Sequence, residues 1–457
     1  MMRGLRRLAV LGVLAVSASA AGLPSPSPVE ARTPDLPRPN FIVIVTDDQE
    51  YRTLSAMSTV SSRLVDQGTV FSNAYVVNPT CCPSRASILT GNYAHTTGVY
   101  SNTTGFQQFD DSFTIATALD VAGYDNELVG KYLNGYEGTY VPPGWDHWVG
   151  KTTGGGVYYD YTLSIDGTLH HYGRKPRDYV TDVLSQQAVS FVKSATDPFF
   201  LYFAPNAPHT PAISADRYKG RFKSLPRYRP PSYDEKDVSD KPKWIRNRPK
   251  LTTRKEHRID SLRRKQYRSL LPVDDAVKAL VDTLDASDRL ADTVILFTTD
   301  NGFLWGEHRL EGKAVPYEES IRVPFVIRYG ALSTDRRTVS SLALNIDIAP
   351  TLAELAGITG YPAEGQSLVP LLTHPPPASW RSDFLVEHRR HQTMPAYCEL
   401  HMQSRVFVLY ADGEKEFYNL QRDPYERDNV AKKTDTSTYR QRLSELCHPP
   451  PPGMPQP

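Results

Sequence analysis

The sequence predicts an α/β protein: a large, mostly parallel sheet sandwiched by helices, followed by a small C-terminal antiparallel sheet with one helix. Three observations carry that expectation. The runs Asn40-Phe-Ile-Val-Ile-Val-Thr46 and Thr293-Val-Ile-Leu-Phe-Thr-Thr299 are continuous, apolar and β-branched, as strands buried on both faces are. Between them helical and strand-like periodicities alternate, which is the pattern of a doubly wound sheet. Beyond Pro375-Pro-Pro377, Val406-Phe-Val-Leu-Tyr410 and Glu416-Phe-Tyr-Asn-Leu420 flank the hairpin signal Asp412-Gly413.

A length of 457 residues gives a prior of two or three domains, and a net charge of +1 offers no global argument for nucleic acid. Residues 1–21 join a charged start (Arg3, Arg6, Arg7), a short apolar run and a small-residue end, and are expected to be a signal peptide. The run is too short to span a bilayer, and no cysteine follows it, so no membrane anchor is expected and the protein reads as secreted, to an extracellular or periplasmic space. Residues 22–37 are expected to form a Pro-rich linker, 38–374 the main α/β domain, 375–448 a small α+β subdomain and 449–457 a disordered tail. Within the main domain the periodicity predicts helices over 112–123, 180–193 and 265–284 and strands over 126–129 and 198–203, with a last helix over 437–446. Residues 217–268 hold 19 Lys or Arg against 6 Asp or Glu, a solvated insertion or an anion-binding patch.

The chemistry-bearing stretch is Asn78-Pro-Thr-Cys-Cys-Pro-Ser-Arg-Ala-Ser-Ile-Leu-Thr-Gly91. Read alone, Cys81 is a nucleophile whose thiolate Arg85 would favour, or half of a buried Cys81-Cys82 pair in a turn. Both buried strands end in oxygen donors, Asp47-Asp48 and Asp300-Asn301. Each pair could cap a helix, but together they form an all-oxygen set suited to Ca²⁺ or Mg²⁺. With no Cys-x-x-Cys spacing a zinc-thiolate site is not expected; Cys398 and Cys447 are the plausible structural bridge. Asn102-Thr-Thr104 matches a glycosylation sequon, a pattern common by chance.

Cys81-Cys-Pro-Ser-Arg-Ala-Ser-Ile-Leu-Thr-Gly91 resembles the signature of the type I sulfatases of the alkaline phosphatase superfamily at every fixed position. The resemblance extends to Gly130-Lys131, Ala207-Pro-His-Thr-Pro211, Asp300-Asn-Gly302 and Gly312-Lys313. Gly130-Lys-Tyr-Leu-Asn134, Pro142-Pro-Gly-Trp145, Tyr159-Asp-Tyr-Thr-Leu-Ser-Ile165, Leu271-Pro-Val-Asp-Asp275, Trp380-Arg-Ser-Asp383 and residues 420–425 look like segments of N-acetylglucosamine-6-sulfatases and heparan endosulfatases.

That resemblance implies an alkaline phosphatase-like fold and hydrolysis of sulfate esters of sugars of the N-acetylglucosamine-6-sulfate type. It implies that a formylglycine-generating enzyme converts Cys81 to Cα-formylglycine. One hydroxyl of the aldehyde hydrate would attack sulfur, and the second would then expel sulfate. Asp47, Asp48, Cys81, Asp300 and Asn301 would surround Ca²⁺ (or Mg²⁺), and Arg85 would orient the hydrate. Lys131 and Lys313 would neutralise sulfate oxygens, His209 would protonate the leaving alcohol, and His308 is a candidate substrate contact. One position departs from the family pattern: where many sulfatases carry Gly-Lys-x-His, this chain has Leu133, leaving His209, His308 or metal and water to serve as base. Two other readings stay open, a phosphonate monoester or phosphodiester hydrolase of the same superfamily and a non-catalytic glycan-binding protein.

Overall fold

The computed structural model describes residues 38–332, 335–373, 377 and 379–457. The expected signal peptide and linker, and Pro375 and Pro376 of the expected boundary, lie outside them. Pro37–Pro457 is one unit by contact, so the small C-terminal sheet is packed into the whole.

Ten strands form the main sheet: β1 (Asn40–Thr46), β2 (Thr69–Phe71), β3 (Asp125–Gly130), β4 (His147–Lys151), β5 (Tyr161–Ile165), β6 (Thr168–Tyr172), β7 (Phe199–Ala204), β8 (Thr293–Thr299), β9 (Val326–Tyr329) and β10 (Arg337–Val339). Their order is β10-β2-β9-β8-β1-β7-β3-β4-β5-β6. The centre, from β8 to β4, is parallel throughout, and the flanks turn antiparallel at β9, β5 and β6. Hence β1 and β8, the two apolar runs of the sequence, lie side by side and are wholly buried.

The helices that matter for the site are α1 (Cys81–Thr90), α2 (Ile115–Val121), α3 (Val180–Ser194), α4 (Thr253–Ala286) and α5 (Ile348–Leu355). On one face Ile42, Ile44, Leu201, Phe203, Ile295 and Phe297 pack against Val183, Leu184 and Phe191 of α3 and Val277, Leu280 and Leu284 of α4. Each such side chain contributes about 1.5–3 kcal/mol on burial. Toward the other face α5 packs against α1 and α2, and α2 against β3. Helix α4 begins at Thr253 rather than near 265. Its first turns are almost all charged and show no apolar stripe. They are held by the Thr252 hydroxyl, which accepts from the Lys255 N–H at 3.3 Å, and by Arg229, which forks onto Asp260 at 2.8 and 2.9 Å.

Much of the basic excess of 217–268 goes into ion pairs of this kind. Arg217 is clasped by Asp182 and Asp275, Arg246 by Glu414 and Arg258 by Glu311.

The C-terminal sheet has four antiparallel strands, β11 (Asp383–His388), β12 (Tyr397–Met402), β13 (Arg405–Tyr410) and β14 (Lys415–Asn419), in that order. Helix α6 (Ser437–Leu446) packs on it, and a disulfide joins Cys398 in β12 to Cys447 after α6. The tail corrects an expectation: it does not hang free. Met454 enters the core formed by Leu400, Phe407 and Leu443, and the Gln456 amide donates to the carbonyls of Ser444 and Cys447 at 3.0 and 3.1 Å. Proline content suggested disorder, but a single buried methionine and two carbonyl acceptors fix the segment. Among the described residues no helix is long and apolar enough to cross a membrane.

Candidate active site

The register Thr46↔Thr299 brings the ends of β1 and β8 level, and the Asp300 N–H donates to the Thr46 carbonyl at 3.1 Å. The four oxygen-donor residues therefore leave the sheet together, at the carboxyl ends of adjacent central strands, where open α/β sheets place their ligands. Asp48 takes a left-handed backbone (φ 65°), and its N–H donates to Asp300 Oδ1 at 3.1 Å. Helix α1 follows Thr80 in extended conformation and starts at Cys81. Cys81 Sγ lies 3.4 Å from Asp47 Oδ1 and 3.9 Å from Asp48 Oδ1. One ligand atom from each of Asp47, Asp48, Cys81 and Asp300 fits within 4.8 Å of all the others.

Three cations meet these three carboxylates. Arg85, one turn along α1 and wholly buried, donates from Nε to Asp300 Oδ2 at 2.8 Å and from Nη1 to the Lys131 carbonyl at 2.9 Å. Lys131 Nζ donates to Asp47 Oδ2 at 2.7 Å. Lys313 Nζ donates to Asp48 Oδ1 and lies 2.6 Å from Cys81 Sγ. Lys131 is delivered by Gly130, whose φ of +121° and close approach to the Ala204 carbonyl leave no room for a Cβ: one would lie 2.1 Å from that oxygen. Burial by itself would raise the Asp47 pKa, yet Lys131 and then His209 hold it well below the usual carboxylate range. Asp48 is likewise lowered, against burial, by Lys313. The Cys81 thiol behaves oppositely. Burial, reinforced by Asp300, pushes it far above the usual thiol range, so at neutral pH it is no thiolate. The thiolate reading of Cys81 and Arg85 therefore fails, and Arg85 serves Asp300.

Asn301 offers a direct test of whether these residues suit a cation. Its amide Nδ2 donates to Asp48 Oδ1 at 2.8 Å and to the Gly302 carbonyl at 2.9 Å, while its Oδ1 is buried without a hydrogen-bond partner. A buried amide oxygen beside three carboxylates is the donor set of a hard divalent cation, and the residues fit one.

His209 stands at the rim, its side chain about a third exposed, with Nε2 3.8 Å from Asp48 Oδ2. Nδ1 is 2.7 Å from the Thr210 carbonyl, which can only accept, so Nδ1 carries a hydrogen and Nε2 is the atom free for acid–base work. His308 does not join this group. It is fully buried, stacked on Tyr317 at 4.0 Å, with Nδ1 3.1 Å from Glu235 Oε2, and has no surface to offer a substrate. Leu133 is buried too. The sequon residue Asn102 instead accepts the Cys82 N–H at 2.8 Å, tying the start of α1 to the next loop. Cys82 packs so closely on Gly105 that a Cβ there would lie 2.0 Å from its sulfur.

Two features escape the sequence. Lys151 ends β4, paired beside β3 at Gly130↔Gly150, and burial followed by the charge of Lys131 pulls its ammonium down to about 8. A cleft of about 440 Å³ adjoins the start of α1 at Thr80 and is lined by His388, Arg389, Arg390 and His391, all from the C-terminal sheet region. Neither a lone Lys after a strand nor a basic run beyond 380 carries a spacing signal that would reveal it.

Comparison with known proteins agrees with this geometry. Residues 39–358 match the Sulfatase family model, and residues 306–448 match that of the N-sulphoglucosamine sulphohydrolase C-terminal region. Human N-acetylglucosamine-6-sulfatase is 31% identical over 480 residues, covering 90% of this chain and 85% of that protein. The extracellular sulfatase SULF-1 homolog of Drosophila melanogaster is 34% identical over 368 residues, 77% of this chain, which spans only 33% of that protein's length. A solved structure in complex with its substrate D-glucosamine-2-N,6-O-disulfate superposes with a TM-score of 0.77 at 25% identity, covering 90% of this chain and 97% of that one. The phosphonate monoester hydrolase of Agrobacterium radiobacter, at 19% identity and a TM-score of 0.72, shares the fold. With its family model matched across the whole main sheet, the chain belongs to the sulfatase family and is a sulfuric ester hydrolase.

Proposed function

We propose that the protein releases sulfate from sulfated amino sugars of the 6-O-sulfoglucosamine class, using Cys81 after its conversion to Cα-formylglycine and a divalent cation held by Asp47, Asp48, Asp300 and Asn301. The observation that carries this reading is the convergence of Cys81 Sγ, three carboxylates and two lysines within one buried cluster. The substrate class rests on the named relatives and on the complexed solved structure.

A formylglycine hydrate supplies a hydroxyl nucleophile where a buried thiol could not. A bound Ca²⁺ or Mg²⁺ supplies Lewis acidity toward sulfate oxygens and lowers the pKa of a neighbouring hydroxyl. The chain's own residues do the rest. Arg85 fixes Asp300 and thereby the mouth of β8. Lys131 and Lys313 present ammonium hydrogens where negative charge grows on the departing sulfate. His209 donates a proton from Nε2 to the leaving sugar oxygen. With Leu133 in place of a histidine and His308 sequestered, His209 is also the histidine within reach of the nucleophile's proton.

Cys81 and Arg85 are 1% and 0% exposed and Pro83 is buried in the folded chain, so the formylglycine-generating enzyme acts before folding closes α1. An export signal at residues 1–21 places that event ahead of secretion, in keeping with relatives named extracellular sulfatases.

The test is sulfate release by the full chain co-produced with a formylglycine-generating enzyme, on glucosamine 6-sulfate against 4-nitrophenyl phosphate and a phosphonate monoester. Peptide mass spectrometry across Cys81 accompanies it. Sulfate release with an aldehyde at residue 81 is expected; phosphonate turnover far above sulfate turnover, or an active protein with an intact thiol, overturns the proposal.

A further inference from the structure

A second group of ligating side chains lies outside the active cluster. His308, from the stretch following Trp305, Glu319, from the short helix Glu318–Ile321, and Glu426, beyond β14, are 0%, 3% and 1% exposed. One ligand atom from each lies within 4.8 Å of the other two. The atoms that remain free are the telling ones: His308 Nε2, Glu319 Oε2 and Glu426 Oε1 are all buried with no hydrogen-bond partner.

The surroundings explain how those atoms are kept in place. His308 Nδ1 sits 3.1 Å from Glu235 Oε2, so Nδ1 donates its hydrogen to that carboxylate and Nε2 presents a lone pair. A carboxylate behind an imidazole is the usual means of orienting a histidine ligand toward a metal. Glu426 Oε2 accepts the Glu318 N–H at 2.9 Å, which leaves Oε1 for another partner. The nearest cations are engaged elsewhere: Lys241 donates to the Tyr418 hydroxyl and the Glu426 carbonyl, and Arg52 to Glu50. Among the described residues no donor reaches the three atoms. Glu307 Oε1 and both oxygens of Glu399 are also buried and unpartnered, so the region as a whole holds more acceptors than donors. Buried acceptors gathered this closely need a cation or protons between them, and an imidazole lone pair aimed at two carboxylates suits a cation.

We propose that His308, Glu319 and Glu426 bind a second divalent cation, distinct from the one at Asp47 and Asp300. One imidazole nitrogen with two carboxylates favours a first-row transition ion, Zn²⁺ or Mn²⁺, over the Ca²⁺ suited to an all-oxygen set. The site is a clasp rather than a reaction centre. It joins the segment after β14 to the loop and short helix that flank Lys313, and so fixes the C-terminal sheet against the catalytic layer. This proposal does not depend on the substrate or on the modification of Cys81.

Crystals of the full chain grown with Zn²⁺ or Mn²⁺ should give an anomalous peak, at the matching absorption edge, between His308 Nε2 and the two carboxylates. Elemental analysis should find one ion fewer per chain in Glu426→Gln than in the wild type. Asp47→Asn with Asp300→Asn should keep the ion that Glu426→Gln loses. A wild-type map with no peak at either edge, and with the carboxyl oxygens in hydrogen-bond contact, would show protons alone holding the cluster and overturns the proposal. Equal ion content in wild type and Glu426→Gln overturns it too. If Glu426→Gln does not fold, the wild-type map alone decides.

Discussion

Lys131→Met separates what the site needs for stability from what it needs for turnover. The substitution keeps the aliphatic bulk and removes the ammonium that lies 2.7 Å from Asp47 Oδ2, with 11% of the lysine side chain exposed and 1% of the aspartate. Breaking a buried ion pair from one side costs about 3–5 kcal/mol. That cost should appear as a lowered melting temperature when protein and variant are compared in chelator. The kinetic loss is separate. Removing one preorganised donor to developing charge costs about 10²–10³ in kcat, or about 2.7–4 kcal/mol. Because the lysine acts mainly as charge grows on sulfate, kcat and kcat/KM should fall together, with little change in KM. The pH profile gives a third reading. Lys131 is the main group holding the Asp47 pKa down against burial. Without it that pKa rises in the metal-free protein, so cation binding that depends on the carboxylate is lost at a higher pH as the solution is acidified. Sulfate release from glucosamine 6-sulfate on metal-saturated protein checks the kinetic loss, cation binding measured across pH checks the third reading, and thermal melting in chelator checks the first. A loss below about tenfold in a folded, metal-loaded variant would refute the electrostatic role given to Lys131.

Gly130→Ala places a Cβ 2.1 Å from the Ala204 carbonyl in a backbone at φ +121°; overpacking and backbone strain, each about 1–3 kcal/mol, should lower the melting temperature and move Lys131 off Asp47, cutting kcat as well. Reducing the Cys398–Cys447 bridge opens a loop of sequence separation 49, and the chain-entropy relation puts the loss at about 4 kcal/mol, readable by thermal melting with and without reductant. Unchanged melting would show that α6 and the tail hold the C-terminal sheet by themselves. His209→Asn should slow release of a sugar alcohol by about 10²–10⁴-fold and that of 4-nitrophenyl sulfate, whose leaving group needs no proton, by clearly less; equal losses on both substrates would remove His209 as the acid. Lys151, with its ammonium drawn to about 8, should tighten sulfate binding below that pH and lose the effect above it. The wild-type KM should therefore climb from neutral to alkaline pH, while Lys151→Ala shows a raised and flatter KM.

The centre of the site was legible because its grammar is local. Two runs of the same kind each ended in an aspartate and a second oxygen donor, and parallel pairing at Thr46↔Thr299 was all that was needed to bring them together. Cys81 and Arg85 were legible as a motif, although burial and Asp300, neither visible in a string, reverse the thiolate chemistry that their proximity suggested. What escaped depends on distant partners. His308 stands five residues before Lys313, yet the carboxylates that surround it come from positions 235, 319 and 426. The early turns of α4 carry no apolar stripe, and their stability comes from Arg229 and Thr252 rather than from periodicity. Lys151 owes its lowered ammonium pKa to burial and then to a lysine one strand away, which only the sheet order brings near.

The charge arrangement of the cluster explains how two lysines and the proposed divalent cation would share one site. Asp47, Asp48 and Asp300 are matched by Lys131, Lys313 and Arg85, so the protein's own groups are balanced and a buried site of this size is tolerable. A divalent cation added to a balanced set gives it a surplus of positive charge, which attracts an anionic ester and grows more favourable as the sulfate separates from its alcohol. The roles of the three protein cations then differ by their tethering. Arg85 is fully buried, with Nε on Asp300 and Nη1 on a backbone carbonyl, so it cannot swing, and only its unpartnered Nη2 is left to face the residue-81 side chain. The lysines end in single flexible ammonium groups, 11% and 17% exposed at the side chain, and can turn from an aspartate toward a sulfate oxygen. Lys131→Arg should therefore fail to restore what Lys131→Met loses: a planar guanidinium would lock onto Asp47 bidentately and leave the substrate without its donor.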